Sequence, residues 1–92
     1  MTPTEFEAAL LADGYTAETR ETAADHATPM HTHPFDVRAM VLEGDITLTT
    51  AEGSTTYRPG DVFTMAAGRL HSEGIGPNGV KNLAGRLYHA AA

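Results

Sequence analysis

Apolar and polar positions follow two different periods along this chain. Near its start, Phe6 and Leu10 are four residues apart, which places both side chains on one face of a helix. Thr2 and Glu5 stand where a capping box would satisfy the first backbone amides of that helix. The pattern therefore predicts one short helix over about residues 3–13.

After this segment the helical period ends. Short runs rich in Thr, Val and Tyr alternate with Gly and Pro, which is typical of an all-β chain. So many short strands favour a sheet closed upon itself as a barrel or jelly roll, with the helix across one barrel end or one sheet face. We expect turns at 43–44, 52–53 and 76–79, and strands at 15–21, 30–42, 45–50, 55–57, 62–65, 71–75 and 80–89.

Length and composition narrow the class of protein. With 92 residues, 41% of them hydrophobic, the chain is expected to form one domain over residues 1–92, with its barrel at about 15–89. The formal net charge of -6 and the dispersed basic residues argue against nucleic acid as a partner. No run approaches the roughly 20 apolar residues that cross a membrane, and the first residues do not resemble a signal peptide. We expect a soluble, cytoplasmic protein.

The absence of cysteine leaves His, Asp and Glu as the side chains for metal ligation. His31 and His33 flank Thr32, and on a strand such alternate side chains share a face about 6.6 Å apart. Two imidazoles so placed can converge on one ion. Two histidines that simply fall close together in a polar loop are the alternative interpretation.

The surrounding residues resemble the two motifs of the cupins. The first motif is Gly, five residues, His-x-His, three or four residues, Glu, six residues, Gly; the second is Gly, five residues, Pro-x-Gly, two residues, His, three residues, Asn. The matching residues of this chain are His31, His33, Gly44, Gly60, Gly68 and His71. The resemblance spans about residues 25–75 and implies a small double-stranded β-helix barrel.

Several motif positions differ from the cupin pattern. Asp25 replaces the first Gly, Ala66 the Pro and Ile75 the final Asn, while Val37 occupies the position of the usual Glu ligand. The resemblance therefore implies a three-His metal site on His31, His33 and His71 that lacks this carboxylate. Some metal-dependent dioxygenases of the cupin fold have such a site.

Strand alternation suggests which further residues face the pocket. Phe35 and Val37 share the inward parity of His33, whereas Asp36 points outward unless Pro34 introduces a bulge. Glu73 shares the parity of His71 and is a candidate pocket residue, although a solvated carboxylate at a strand end is the interpretation that we favour from sequence.

Four other residues are not assigned to the site. His26 and His89 lie outside the motifs and are expected to be ordinary surface or core histidines. Arg38 and Arg86 are able to recognise an anion, but we expect each to be solvated or ion-paired.

The sequence is compatible with more than one function. The first hypothesis is a protein that binds a divalent metal ion, Fe, Zn, Ni, Cu or Mn, and acts on a small molecule as a dioxygenase, isomerase or lyase. The alternatives are a non-catalytic small-ligand-binding or sensor protein and a barrel with a vestigial, empty site. Whether the protein is an enzyme, and which molecule it would act on, does not follow from the sequence. A small-molecule ligand and a homodimer are the expected partners, because open sheets leave edge strands that need covering and cupins commonly pair through them.

Overall fold

The N-terminal helix forms where the capping pattern predicts it. A computed structural model describes residues 1–89, and its helix α1 spans Pro3–Ala12. The Thr2 side chain accepts from the Glu5 amide at 3.2 Å, and the Glu5 carboxylate accepts from the Thr2 amide at 2.8 Å. The helix ends at Ala12 with Asp13 as its C-cap, one residue before the predicted boundary, a difference usual for helix ends.

The rest of the described chain is antiparallel β-structure, as predicted. Residues 90–92, which the predicted domain of 1–92 includes, lie outside the described residues. No helix within residues 1–89 is long and apolar enough to cross a membrane. The strands are β1 Glu18–Thr22, β2 Ala27–His31, β3 Phe35–Thr50, β4 Gly53–Tyr57, β5 Val62–Met65 and β6 His71–Tyr88.

Two long strands, β3 and β6, organise the sheet because they pair with each other along most of their lengths. The first part of β3 and the last part of β6 lie between β5 and β1. The last part of β3 and the first part of β6 lie between β4 and β2. Two four-stranded halves thus share the same two bent strands, which is the jelly-roll arrangement expected from the sequence.

Two predicted turns are wrong because the chain bends there without reversing. At Glu43 and Gly44, and again at 76–79, the register between β3 and β6 shifts while both strands continue. Gly44 has φ of 75°, and a Cβ at this position would lie 1.8 Å from the carbonyl oxygen of Gly79. These glycines therefore allow the two strands to cross closely at the bend.

The predicted strand at 30–42 is also divided. It is interrupted at residues 32–34, where Pro34 forms a bend. β2 consequently ends at His31, β3 begins at Phe35, and His33 lies in the connection between them. Pro34 has no amide hydrogen to donate to a strand partner, which explains why the ladder stops there.

The main core lies between the two halves of the sheet. Ala39 and Val41 from one half pack with Ile46 and Leu48 from the other, together with side chains of β5 and β6. A second cluster covers the opposite face of the first half, where Phe6 and Leu10 of α1 pack on Met40 and Leu83. The helix thus covers a sheet face, one of the two positions considered from sequence.

Candidate metal centre

Three histidines come together where β2 meets β6. His31 is the last residue of β2, and its Cα partner across the strand pair is His71, the first residue of β6. His33 follows in the short connection before β3. The ring centres lie 4.4 Å apart for His31 and His71 and 4.8 Å apart for each of the other two pairs. All three rings are therefore in mutual contact.

Glu73 completes a four-residue cluster. It lies two residues beyond His71 on β6, so both side chains project from the same face. One ligand atom from each of His31, His33, His71 and Glu73 lies within 4.8 Å of the other three. His31 Nε2 is 3.1 Å from His33 Nε2 and 3.3 Å from the Oε2 oxygen of Glu73.

Backbone carbonyls fix the protonation pattern of two of these rings. His31 Nδ1 lies 2.7 Å from the Pro29 carbonyl oxygen, and His71 Nδ1 lies 2.9 Å from that of Arg69. A carbonyl oxygen only accepts hydrogen bonds, so each Nδ1 carries the proton and donates it. In the neutral ring the Nε2 lone pair is then free for an ion, the usual arrangement of a metal-binding histidine.

His33 is held neutral by its surroundings. Burial lowers the pKa of His33 below its usual value, and the neighbouring His71 and His31 lower it further when charged. Its ring stacks on Phe35, with ring centres 4.9 Å apart and planes 16° apart. Its Nδ1 is buried and has no hydrogen-bond partner among residues 1–89. A neutral imidazole is the form that binds metals.

The donor set fits a divalent transition-metal ion. Two adjacent nitrogens that each lie about 2.0–2.1 Å from one ion at tetrahedral or octahedral angles are about 2.8–3.4 Å apart. The observed separation of 3.1 Å between the Nε2 atoms of His31 and His33 is in this range. Three imidazoles and one carboxylate are also ligands that Zn, Fe, Ni, Cu and Mn accept.

The cluster borders a cavity of about 270 Å³ inside the sheet. His33 and Glu73 contribute to its wall, and so do Phe35 and Val37, the other two candidate pocket residues. The remaining lining residues come from both halves of the sheet and from the segment before β2: Arg20, Thr22, His26, Thr28, Ala39, Ile46, Phe63, Ile75, Asn82, Ala84, Gly85 and Arg86.

Asp36 and Arg38 lie away from the cavity, which agrees with the alternation expected along β3. Asp36 accepts a hydrogen bond from the Ala67 amide at 2.7 Å and is 2.9 Å from His89 Nε2. Arg38 pairs with Asp13 at 2.7 Å. The Asp36 carboxylate is therefore not a substitute for the one missing at position 37.

Glu73, His26 and Arg86 line the cavity, although their positions along the chain gave little indication of it. Glu73 is not an isolated solvated carboxylate, because it contacts His31. Its shared parity with His71 was the available indication. The contact itself depends on the pairing of β2 with β6, which brings together residues 42 positions apart. The cavity roles of His26 and Arg86 likewise depend on strands that are distant in sequence.

Comparisons with known proteins identify the architecture. No protein-family model and no curated protein matches the chain. A protein of unknown function from Rhizobium leguminosarum has a similar structure, with TM-score 0.76 and 21% identity over 84% of this chain and 73% of that one. A cupin superfamily protein from Desulfitobacterium hafniense has TM-score 0.69 and 19% identity, covering 82% and 68%.

An enzyme is among the similar structures. The polyketide cyclase RemF from Streptomyces resistomycificus has TM-score 0.68 and 22% identity, over 86% of this chain and 60% of its own. Identities of this size establish a shared fold and leave activity and ligands undetermined.

Proposed function

This chain has the cupin fold, as the motifs predicted, and we propose that it binds one divalent metal ion on His31, His33, His71 and Glu73. The observation that carries the proposal is the convergence of four ligand atoms within 4.8 Å. Three of these residues are those implied by the cupin motifs. The carboxylate comes from β6, two residues after the third histidine, whereas the usual position on β3 holds Val37.

The chain's own residues would prepare this site in three ways. The carbonyl oxygens of Pro29 and Arg69 orient the rings of His31 and His71. Burial keeps His33 neutral, so that a lone pair is available without prior loss of a proton. Glu73 supplies one negative charge, which partly compensates the charge of a divalent ion.

The adjoining cavity supports a role in small-molecule chemistry. When bound, the ion would act as a Lewis acid toward an oxygen atom of a molecule in the cavity. Apolar side chains such as Phe35, Val37 and Phe63 line the cavity and would exclude water from the bound molecule. A metal-dependent enzyme of the dioxygenase, isomerase or lyase type is the function that we propose, and the polyketide cyclase among the similar structures supports an enzymatic use of this fold.

Zinc binding to the purified metal-free protein tests the proposal. Isothermal titration should give one zinc ion per chain. His71→Ala and Glu73→Gln should each weaken the affinity by at least about tenfold, because each removes one ligand. His89→Ala is the matched control, since His89 contacts Asp36 on the surface and lies outside the cluster. An unchanged zinc affinity in His71→Ala would show that the three histidines do not form the metal site.

A non-catalytic ligand-binding protein is the second candidate. The cavity favours it, because its wall combines apolar side chains with polar groups such as Asn82 and Arg86, the composition typical of small-molecule sites. A protein of this kind would bind its ligand without converting it. The cytoplasmic location expected from the sequence remains a prediction.

A further inference from the structure

Arg86 is a cation in the cavity wall that pairs with no carboxylate of residues 1–89. Two arginines line the cavity, and the other one, Arg20, pairs with Glu18. Among the described residues, Arg86 forms no ion pair, and its side-chain hydrogen bond goes to the Tyr88 hydroxyl at 3.4 Å. A half-buried guanidinium with unused donors is a strong recognition site for an anion.

Phe35 holds this guanidinium against the wall. The central carbon of the Arg86 guanidinium lies 4.3 Å from the centre of the Phe35 ring. Phe35 stacks in turn on His33, a residue of the metal cluster. Stacking of this kind fixes the plane of the guanidinium and lowers the entropy cost of binding a planar carboxylate.

The residue opposite Arg86 supplies no charge to pair with its guanidinium. Val37 is the Cα partner of Arg86 in the β3–β6 pair, and both side chains line the cavity. Directly paired side chains on one sheet face have Cβ atoms about 5 Å apart. A carboxylate at position 37 would therefore be close enough to pair with Arg86, but valine at that position cannot.

Arg86 also lies close to the metal cluster. Phe35 contacts both the Arg86 guanidinium and the His33 ring, so the positive charge of Arg86 lies beside the cluster. With a divalent ion in the cluster, an anion bound between Arg86 and the cluster would be attracted from both sides; without the ion, Arg86 alone supplies the attraction. Asn82, on the same cavity wall, has a buried Oδ1 that finds no hydrogen-bond partner within the described part of the chain, and a donor on the ligand would satisfy it.

We propose that the cavity binds a small organic acid with an apolar body, whose carboxylate pairs with the Arg86 guanidinium beside the metal cluster. The cavity of about 270 Å³ is near the lower limit for ligand sites, which sets the small size. Phe35, Phe63 and Ile75 supply the apolar surface. The proposal rests on the proposed function for the adjacent metal, whereas the Arg86 contact itself requires no metal.

Benzoate and its neutral analogue benzamide are suitable probes. Their affinities for the metal-free protein are measured with a chelator present, by following backbone amide signals in NMR titrations. Benzoate should bind more tightly than benzamide. Arg86→Gln should weaken benzoate binding by at least about tenfold, the factor expected for loss of a charge-assisted contact, and should leave benzamide unchanged. Arg58→Gln, a change of an exposed arginine outside the cavity, is the matched control.

A second pair of variants tests the geometry independently. Val37→Glu should place a carboxylate opposite Arg86 and weaken benzoate binding about as much as Arg86→Gln does. Val37→Gln has a similar size without the charge and should retain more of the affinity. These variants keep the proposal testable if Arg86→Gln alone disturbs folding.

The titrations separate this inference from the proposed metal function. If zinc fails to bind but benzoate still requires Arg86, the metal proposal fails and the acid-binding proposal stands. If zinc binds as proposed, yet benzoate and benzamide bind equally or Arg86→Gln retains full benzoate affinity, the acid-binding proposal is overturned.

Discussion

Single residues position the metal cluster through contacts outside it. Asp36 connects the start of β3 to the loop that precedes His71, because its Oδ1 accepts the Ala67 amide at 2.7 Å. The Gly68 amide donates to the His33 carbonyl oxygen at 2.9 Å and fastens the same loop to the other motif. These two contacts fix the positions of His33 and His71 relative to each other, although the two histidines come from distant segments of the chain.

The Asp36 contact predicts a pH-dependent contribution to stability. The Ala67 amide is the largest cause that lowers the pKa of Asp36, followed by the hydrogen bond with His89. With the folded pKa below the unfolded one, the carboxylate stabilises the native state above the unfolded pKa, and this contribution is lost as pH falls through the folded pKa. Asp36→Asn should therefore lower the free energy of unfolding at neutral pH, with a smaller difference from wild type well below pH 4.

Urea denaturation of the metal-free protein at several pH values measures this difference. Glu7→Gln, a change of an exposed carboxylate on α1, is the control and should show little effect at any pH. A difference between Asp36→Asn and wild type that stays constant from neutral to acid pH would contradict the assigned charge effect.

At the scale of elements, the bend shared by β3 and β6 determines where the cavity lies. Gly44 is the critical residue of the bend, because it combines a φ of 75° with close approach to Gly79. Gly44→Ala should lower the free energy of unfolding by about 2 kcal/mol or more, since both steric overlap and an unfavourable backbone conformation arise.

Gly53→Ala separates these two effects. Gly53 also has positive φ, 125°, but a Cβ there would meet no atom of the described chain within 4 Å. The loss of unfolding free energy in Gly53→Ala should therefore measure the cost of the unfavourable backbone conformation without the steric overlap. Chemical denaturation of both variants gives the comparison. Equal losses of unfolding free energy would show that the close approach of Gly44 to Gly79 adds nothing to the cost of the substitution.

The elements also show which features sequence can predict. The helix was predictable because its capping box and apolar face are local, and most strands were predictable from their alternation and β-branched residues. The bends at 43–44 and 76–79 were mistaken for turns, since glycine permits either outcome and only the long-range pairing of β3 with β6 decides. At the site, the motif spacing identified His31, His33 and His71 as candidates.

The place of Glu73 was harder to predict for the same physical reason. Its contact with His31 follows from the β2–β6 pairing, which no local pattern encodes. Asp25 shows the converse case. It replaces a motif glycine, yet its φ of 58° is the left-handed conformation that glycine favours and that Asp tolerates better than most residues. The residue type differs while the backbone geometry is retained.

For the whole molecule, unpaired strand edges are the places where two chains could associate. Among the described residues, β1, β2, β4 and β5 each pair with one strand only. On the β2 edge Met30 is 47% exposed, and the neighbouring loop presents Leu70, 57% exposed. We propose that two chains pair through this edge.

Light scattering should give twice the chain mass of 9.7 kDa. Met30→Lys should reduce the measured mass to that of the monomer, whereas Val62→Lys on the β5 edge should leave the dimer mass unchanged. A monomer mass for the wild type would exclude the homodimer.

Metal binding should stabilise the entire fold, because the proposed ligands come from the end of β2, the connection before β3 and the start of β6. Unfolding separates these segments and so destroys the site, and binding energy therefore adds to the free energy of unfolding. At a free zinc concentration one hundred times Kd, this gain is about 2.7 kcal/mol, less any zinc bound by the unfolded chain. For a domain of this size such a gain raises Tm by roughly 10–20 °C. Calorimetry with zinc and with a chelator measures the shift, and His71→Ala should abolish most of it while His89→Ala retains it. If zinc binds one per chain but leaves Tm unchanged, the ion is held at a site that survives unfolding, and the cluster at the β2–β6 junction is not where it binds.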